Sequence, residues 1–277
     1  MNLVESRITI IITYTLLGIA AFTALFPIAL MLLNSLKTTP EIALSPLGMP
    51  EVPYWNNYVN AWKGANFTRT FFNSGVLMFM TIALVLSTGS LTAYVLARKK
   101  IKSWKIVTVY LLATTTAPIQ LFLFPLYFGF AKLGLINNIF AVSIVYCAIF
   151  SPFSIMLLRT YFLAVPKELE EAALVDGATS WQVFSKVYLP LVWPGLLTVS
   201  LIVGLYTWNE FLIATTFLQG PESRTAVVSY FLLSGQYSRD WGDLMAGAML
   251  VSAPIVILFI FLQRRFIEGI TGGSIKG

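Results

Sequence analysis

The stretch KELEEAALVDGATSWQVFSKVYLP, residues 167–190, decides how this chain is read. It holds Glu171-Ala172-Ala173, then Gly177 after three residues, then Val187-Tyr188-Leu189-Pro190 after nine more. Four of the 12 acidic residues, Glu168, Glu170, Glu171 and Asp176, lie here in a chain that is 57% hydrophobic and 11% charged. Such a composition is built for lipid, so an acidic island has to lie outside the bilayer, facing something soluble. Pro166 stops the preceding helix. Glu168 to Val175 then reads as a short amphipathic helix with Leu169, Ala172, Ala173 and Asp176 near one face. Ala172 and Ala173 carry almost no side chain, which lets another backbone approach, and Gly177 tolerates the positive φ that follows a helix end. Ser180 is expected to cap a second short helix, Ser180 to Val187, with Trp181, Phe184 and Val187 as its apolar stripe. Leu189-Pro190 turns the chain back. This is the layout of a docking surface or of an ordinary interfacial re-entry helix, not of an active site.

Outward from this island the sequence is almost entirely apolar. Uncharged runs cover Ile8 to Leu33, Thr70 to Ala97, Ile106 to Ala131, Leu133 to Leu158, Val187 to Asn209 and Leu244 to Gln263. Each reaches or exceeds the roughly 20 residues that a helix needs to cross a hydrocarbon core of about 30 Å. They are continuously apolar and longer than the alternating strands of about 9 to 11 residues in a barrel, and a helix satisfies its own backbone in lipid. The expected fold is therefore all-α, a single membrane domain over 1–277 with six transmembrane helices. The first run is longer than a secretory h-region of about 7 to 15 residues, and no small-residue cleavage site follows, so it is expected to stay in the protein.

The net charge is +6. Twelve of the 18 Lys and Arg residues fall on one side of these spans: Arg7, Arg98, Lys99, Lys100, Lys102, Lys105, Arg159, Lys167, Lys186, Arg264, Arg265 and Lys276. Lys37, Lys63, Arg69, Lys132, Arg224 and Arg239 fall on the other. This distribution belongs to membrane topology rather than to nucleic acid; it places both termini and the 163–190 loop in the cytoplasm. The loops at 34–69 and 219–243 are then outside. The first is rich in Pro and aromatics and is expected to hold short interfacial helices. The second carries Glu222, Arg224, Arg239, Asp240 and Asp243, polar enough to meet a soluble partner. With no His and one Cys, neither a disulfide framework nor a Cys/His metal cluster is possible within the chain.

The spacing Glu-Ala-Ala, three residues, Gly, nine residues, an aliphatic residue, one residue, Leu-Pro resembles the signature loop of ABC importer permeases. Seven residues are specified over 20 positions, and the one departure is Val187 where Ile is usual, a small volume change. Trp208-Asn209-Glu210-Phe211-Leu212 and the ending Gln263-Arg264-Arg265-Phe266 through Gly272-Gly273-Ser274-Ile275-Lys276-Gly277 are similar to the carbohydrate-importing branch, in particular permeases like the G subunit of the maltose importer. The resemblance implies a type I ABC importer permease fold in the bacterial inner membrane. It implies partnership with a second homologous permease, two ATP-binding subunits that hold ATP and Mg, and an extracytoplasmic solute-binding protein that delivers sugar. It assigns ATPase coupling to Glu171, Ala172, Ala173, Asp176, Gly177, Leu189 and Pro190, and a tail contact with the ATPase to Gly272, Gly273, Ser274 and Lys276. The tail is no phosphate loop of its own, since Ser274 and Ile275 stand where Gly and Lys are required.

Glu210 is flanked on both sides by transmembrane sequence, and a carboxylate at membrane depth costs on the order of 2.5 to 3.5 kcal/mol unless it faces a cavity or partner. At about 1.5 Å per residue from an exit near Leu218, it lies roughly 12 Å inside the outer surface. Tyr206, Trp208, Asn209 and Glu210 offer both the planar polar groups and the aromatic rings that sugars require, and Tyr206, Asn209 and Glu210 can share a helix face. An inter-helix polar contact is the alternative role for Glu210. Gln120, between Pro118 and Pro125, either faces the path or repairs the proline-broken backbone. An importer of another solute, such as a glycerophosphodiester or polyol, would share this fold, though no basic residue lies deep in any run. An ion-coupled transporter would need more intramembrane ligands. A membrane enzyme would need a catalytic constellation, and without His few remain.

Overall fold

Runs of apolar residues this long leave the backbone no partner but itself, and every regular element among the described residues is helical. The computed structural model describes residues 7–236 and 240–272. In chain order the helices are α1 Arg7–Asn34, α2 Thr39–Leu44, α3 Asn56–Gly64, α4 Phe67–Ala97, α5 Trp104–Thr114, α6 Leu123–Lys132 and α7 Ile139–Ala164. They continue with α8 Lys167–Val175, α9 Ser180–Gln182, α10 Leu189–Leu191, α11 Trp193–Asn209, α12 Leu212–Phe217, α13 Ala226–Gln236 and α14 Trp241–Gly272. Four stretches, Thr9–Asn34, Phe67–Ala97, Ile139–Ala164 and Trp241–Phe261, are long and apolar enough to cross a membrane. Two bent pairs bring the total to as many as six.

The third span is broken near its prolines, in keeping with the proline-broken backbone read there, while the bend in the fifth corrects the expectation of one continuous span. Trp104–Thr114 and Ile119–Lys132 meet at 90°. Pro118 pushes the residue before it out of the α region. The hydroxyls of Thr114, Thr115 and Thr116 donate to the carbonyls of Leu111, Leu112 and Ala113, adding bonds at a helix end where Leu111 and Ala113 also accept backbone N–H groups. Ser180–Leu191 and Trp193–Asn209 meet at 73°, with Val192 between them and Pro194 in the first turn of α11. The run read as Val187 to Asn209 is thus an amphipathic entry segment followed by a shorter span.

The fourth span also shifts. Gly134 (φ 67°) and Asn137 (φ 66°) shape the turn, Asn138 caps α7 by accepting the Ala141 N–H at 3.0 Å, and the helix continues through Arg159 to Ala164. It ends just before Pro166, as expected. The expected short helices of the first outer loop are α2 and α3. The helix α13 in the 219–243 loop was not expected, because five charged residues masked the uncharged stretch from Ala226 to Gly235.

The chain divides into two compact units. The first comprises the residues up to Phe67 with Ser229–Pro254. Its anchor is Asn57, whose Nδ2 donates to the carbonyls of Ser35 and Lys37 at 2.8 Å each. The Lys37 side chain is fully buried and donates to Asn34 Oδ1 at 3.0 Å and Ser45 O at 2.8 Å. Gly242 lies so close that a Cβ would sit 2.5 Å from Asn57 Nδ2. Thr39 joins the start of α14, donating to Asp240 at 2.9 Å and accepting the Trp241 N–H at 3.0 Å.

The second unit, Thr68–Val228 with the chain from Ile255, holds two cores. One gathers Tyr94, Leu158, Phe162, Val183, Phe184 and Tyr188; the other gathers Leu77, Val142, Tyr146, Ile213, Phe217 and Leu218. Beside the first of them α11 crosses α7 at Gly195, where a Cβ would stand 2.5 Å from Tyr161 Cγ. Small residues at such crossings let helices approach closely in a membrane. Gly195→Val is expected to lower stability by roughly 1–3 kcal/mol through overpacking. Thermal unfolding of the purified chain in detergent measures it, and an unchanged midpoint would show that Tyr161 moves aside freely.

Candidate functional site

In α8, Glu168 and Glu170 occupy the first turn, where negative charge complements the helix dipole. At its other end the Gly177 N–H donates to Leu174 O at 3.1 Å and the Ala178 N–H to Ala173 O at 2.9 Å, a Schellman closure with Gly177 at φ 84°. Any other residue there meets the left-handed penalty of about 1–2 kcal/mol. The second helix is capped one residue earlier than expected. Thr179 Oγ1 accepts the Gln182 N–H at 3.3 Å while Gln182 Oε1 accepts the Thr179 N–H at 2.7 Å, a reciprocal box that Ser180 could not form with Gln182 at that spacing. A π-turn over Val183–Tyr188 then rotates the apolar stripe. Val183, Phe184 and Tyr188 are buried, whereas Trp181 is 64% exposed and Val187 only half-buried.

The decisive side chain is Glu170, which sequence reasoning counted only as a charge. Its Oε1 accepts from Lys100 Nζ at 2.8 Å and Tyr94 Oη at 3.4 Å, and its Oε2 accepts from Tyr188 Oη at 2.8 Å and faces Arg98 Nε at 3.4 Å. Arg98 also donates to Val165 O at 2.7 Å and lies 4.6 Å from the Tyr188 ring centre. One carboxylate thereby joins the end of α4, the end of α7, α8 and the π-turn. Tyr94, Phe162, Phe184 and Tyr188 pack around it, with ring centres 4.9 Å apart for Tyr94 and Tyr188. Burial opposes the charge on Glu170. The bonds from Lys100 and Tyr188 and the positive charges of Lys100 and Arg98 outweigh it, holding the carboxyl below its ordinary pKa. The clue missed in the sequence was the Arg98-Lys99-Lys100 run, read only as a topology signal.

With Glu170 turned inward, the opposite face is free. Glu171, Ala172, Asp176 and Gly177 are exposed, as are Leu174 and Val175, the latter at 88%. Ala173 is half-buried against the aromatic core, Leu189 is half-buried and Pro190 exposed. The Leu174-Val175 tip is thus an exposed apolar patch with Glu171 and Asp176 exposed beside it in the chain.

In the fifth span, α11 ends at Asn209, and Glu210 adopts an extended conformation (φ −69°, ψ 124°). Its carboxylate accepts the Ile213 N–H at 2.9 Å and the Ala214 N–H at 3.0 Å, closing the start of α12, and accepts the Tyr146 hydroxyl from α7. The inter-helix contact, one of the two roles weighed for Glu210, is thus present. Because the helix breaks, Tyr206, Asn209 and Glu210 do not form one continuous face. Tyr206 is exposed with Phe150 stacked at 6.0 Å, and Asn209 is exposed with its Nδ2 on Leu205 O at 2.9 Å. Trp208 is buried against Phe71.

Beside the bend after α5 lies an open cavity of about 770 Å³, lined by residues including Thr114, Thr115, Ile119, Pro125, Val145 and Pro152. Its two threonine hydroxyls are spent on helix carbonyls, so it offers hydrocarbon rather than sugar contacts. Gln120 is exposed on the 3₁₀ turn Ile119–Phe122 and is not part of that lining. Gly272 ends α14, and Gly273, Ser274 and Lys276 lie outside the described residues.

Residues 85–271 match the family described as binding-protein-dependent transport system inner membrane component. The chain belongs to this family. It is 34% identical over 252 residues to the probable ABC transporter permease protein YurM of Bacillus subtilis (strain 168), covering 91% of this chain and 84% of that one. It is 32% identical over 267 residues to the diacetylchitobiose uptake system permease protein NgcG of Streptomyces coelicolor, covering 96% and 88%. A chain in the crystal structure of a bacterial ABC transporter involved in import of the acidic polysaccharide alginate has the same fold, with a TM-score of 0.79 at 24% identity over 96% of this chain and 99% of that one.

This permease is therefore a multi-pass inner-membrane transport component rather than an enzyme, and within its family-matched region Glu170 is the bolt of the residue 167–190 module. Glu170→Gln is expected to destabilise it by on the order of 3 kcal/mol, because the guanidinium of Arg98, with its side chain 5% exposed, loses its counter-charge. Since the native carboxyl titrates lower than the unfolded one, its contribution is fully present above the ordinary value of 4.5 and is lost as pH falls through the lower native value. Thermal midpoints of wild type and variant in detergent should converge on acidification from neutral pH; a gap constant with pH would exclude the charge as its source.

Proposed function

We propose that this chain is one of two transmembrane subunits of an ATP-driven importer of sugars or oligosaccharides, with six spans forming one membrane domain and both ends in the cytoplasm. The observation that carries the reading is the exposed Glu171-Ala172, Leu174-Val175-Asp176-Gly177 tip on a module bolted through Glu170 to two spanning helices. Two ATP-binding subunits, with ATP and Mg, supply the motor that this chain lacks; one takes the tip in a cleft. A second, similar permease completes the path, and an extracytoplasmic binding protein delivers the solute. Closure of the ATPase subunits moves the tip, and rigid attachment passes that movement to α4 and α7, so that outer and inner cavities open in alternation. The sugar class is supported by relatives named for diacetylchitobiose, arabinooligosaccharide and trehalose transport. The glycine-rich tail from Gly272 to Lys276 meets the ATPase pair.

On this reading Tyr206 and Asn209, exposed on α11, contact the solute, with Gln120 as a further polar group, while Glu210 positions them by holding the helix break. Gly177→Trp is expected to abolish uptake while leaving the membrane-embedded fold intact, since only the left-handed turn is strained and open space surrounds it. Uptake and ATPase docking both unchanged would overturn the lever. Tyr206→Ala and Asn209→Ala are each expected to raise the half-saturating concentration about 10-fold, the loss of one stacking or hydrogen-bonding contact of roughly 1.4 kcal/mol. Uptake of a labelled oligosaccharide panel by whole cells measures this, and unaltered saturation on the transported sugar would remove both residues from the path.

A further inference from the structure

Three cations converge on a single indole. Lys99 Nζ lies 5.0 Å, Lys105 Nζ 5.7 Å and Arg159 Cζ 5.9 Å from the ring centre of Trp104. They come from two separate parts of the chain, the α4–α5 connection with the first turn of α5 (Lys99, Lys105) and α7 (Arg159). None is paired with a carboxylate among the described residues, and Arg159 Nε is buried with no hydrogen-bond partner. The ring's negative face attracts each cation without neutralising it.

Lys99 supplies an independent observation. It sits in the left-handed region at φ 53°, with its N–H on Leu96 O at 3.3 Å and the Lys100 N–H on Val95 O at 3.1 Å. This is the Schellman position at which glycine is strain-free. The turn divides adjacent charges: Arg98 and Lys100 go to Glu170, while Lys99 goes to Trp104. A basic side chain kept where a strained backbone has to carry it points to a function for that side chain. Positive charges that only set topology need to be near a span's end; they do not need to meet at one ring.

The neighbouring surface says what kind of anion fits. Lys105, Ile106, Val109 and Tyr110 line a shallow groove, and Ile106, Val109 and Tyr110 are 73%, 65% and 65% exposed on a helix apolar enough for the membrane. A phosphate at the cations would have its hydrocarbon beside this strip.

We infer that Lys99, Lys105 and Arg159 around Trp104 form a binding site for the phosphate headgroup of an anionic phospholipid, with an acyl chain along Ile106 and Tyr110. Its placement in the cytoplasmic leaflet rests on the topology proposed above; the binding itself does not depend on transport. The full chain, purified in detergent with its co-expressed partner subunits, would be given phosphatidylglycerol or phosphatidylcholine with identical acyl chains, and retained lipid read by native mass spectrometry. Wild type should prefer phosphatidylglycerol. Lys99→Gly and Arg159→Gln should each lower that preference about fivefold. Lys99→Gly should do so without lowering the thermal midpoint in phosphatidylcholine, because glycine relieves the turn. Undiminished preference in Lys99→Gly, or an equal loss in the exposed control Lys63→Gln, would overturn the site. Displacement of phosphatidylglycerol by inorganic phosphate at millimolar concentration would overturn the lipid assignment in favour of a soluble anion. Failure of the importer reading would show in uptake and leave these lipid ratios unaffected.

Discussion

A single carboxylate, that of Glu170, holds the helix α8 module to the spanning helices. Two cations and two phenols converge on it from α4 and the π-turn, and Arg98 continues the connection to the last carbonyls of α7. A buried ion pair adds little net stability when compared with an apolar replacement, but it fixes geometry, because removing either partner leaves an unpaired charge. That property suits an element that has to transmit movement. Hydrophobic packing alone between Tyr94, Phe162, Phe184 and Tyr188 could slide; the charged bonds prescribe one orientation, and that orientation turns Glu171 outward.

The placement of spans was legible because lipid imposes one rule on every residue within it. Charges bounded the apolar runs, and α1, α4 and α14 fall where those runs predicted. Legibility failed where the backbone departs from straight helix inside an uncharged stretch. The bend at Val192 leaves hydropathy unchanged; the break at Pro118 was signalled by its proline, but not the hydroxyls of Thr114, Thr115 and Thr116 that bond the helix end there, which look like any other small polar residues in sequence. Helix α13 was hidden for the opposite reason, as charged neighbours gave an apolar helix the look of a polar loop.

The candidate site shows the same division. That Gly177 ends α8 with a positive φ was legible from its being a glycine there, since φ is a property of the backbone at one position. The orientation of α8 was not, because Glu170 and Glu171 are chemically identical and only their non-local partners separate them. The partners of Glu170 lie at positions 94, 98, 100 and 188, and nothing within the local pattern indicates them.

Glu210 makes the converse point. A carboxylate deep in an apolar span invites a functional reading, and the polar groups flanking it reinforce that. In the fold it accepts two backbone N–H bonds and a tyrosine hydroxyl, which together repay its desolvation. The cost of burying the charge thus selects for a break in the helix, because only an exposed helix start supplies free N–H donors at that depth. Once the helix is broken there, Tyr206 and Asn209 lie at its last exposed turn beside irregular backbone, the kind of backbone that membranes tolerate where it is buried in protein or lines a cavity. The half-buried acid and the exposed polar residues next to it are therefore two consequences of one discontinuity.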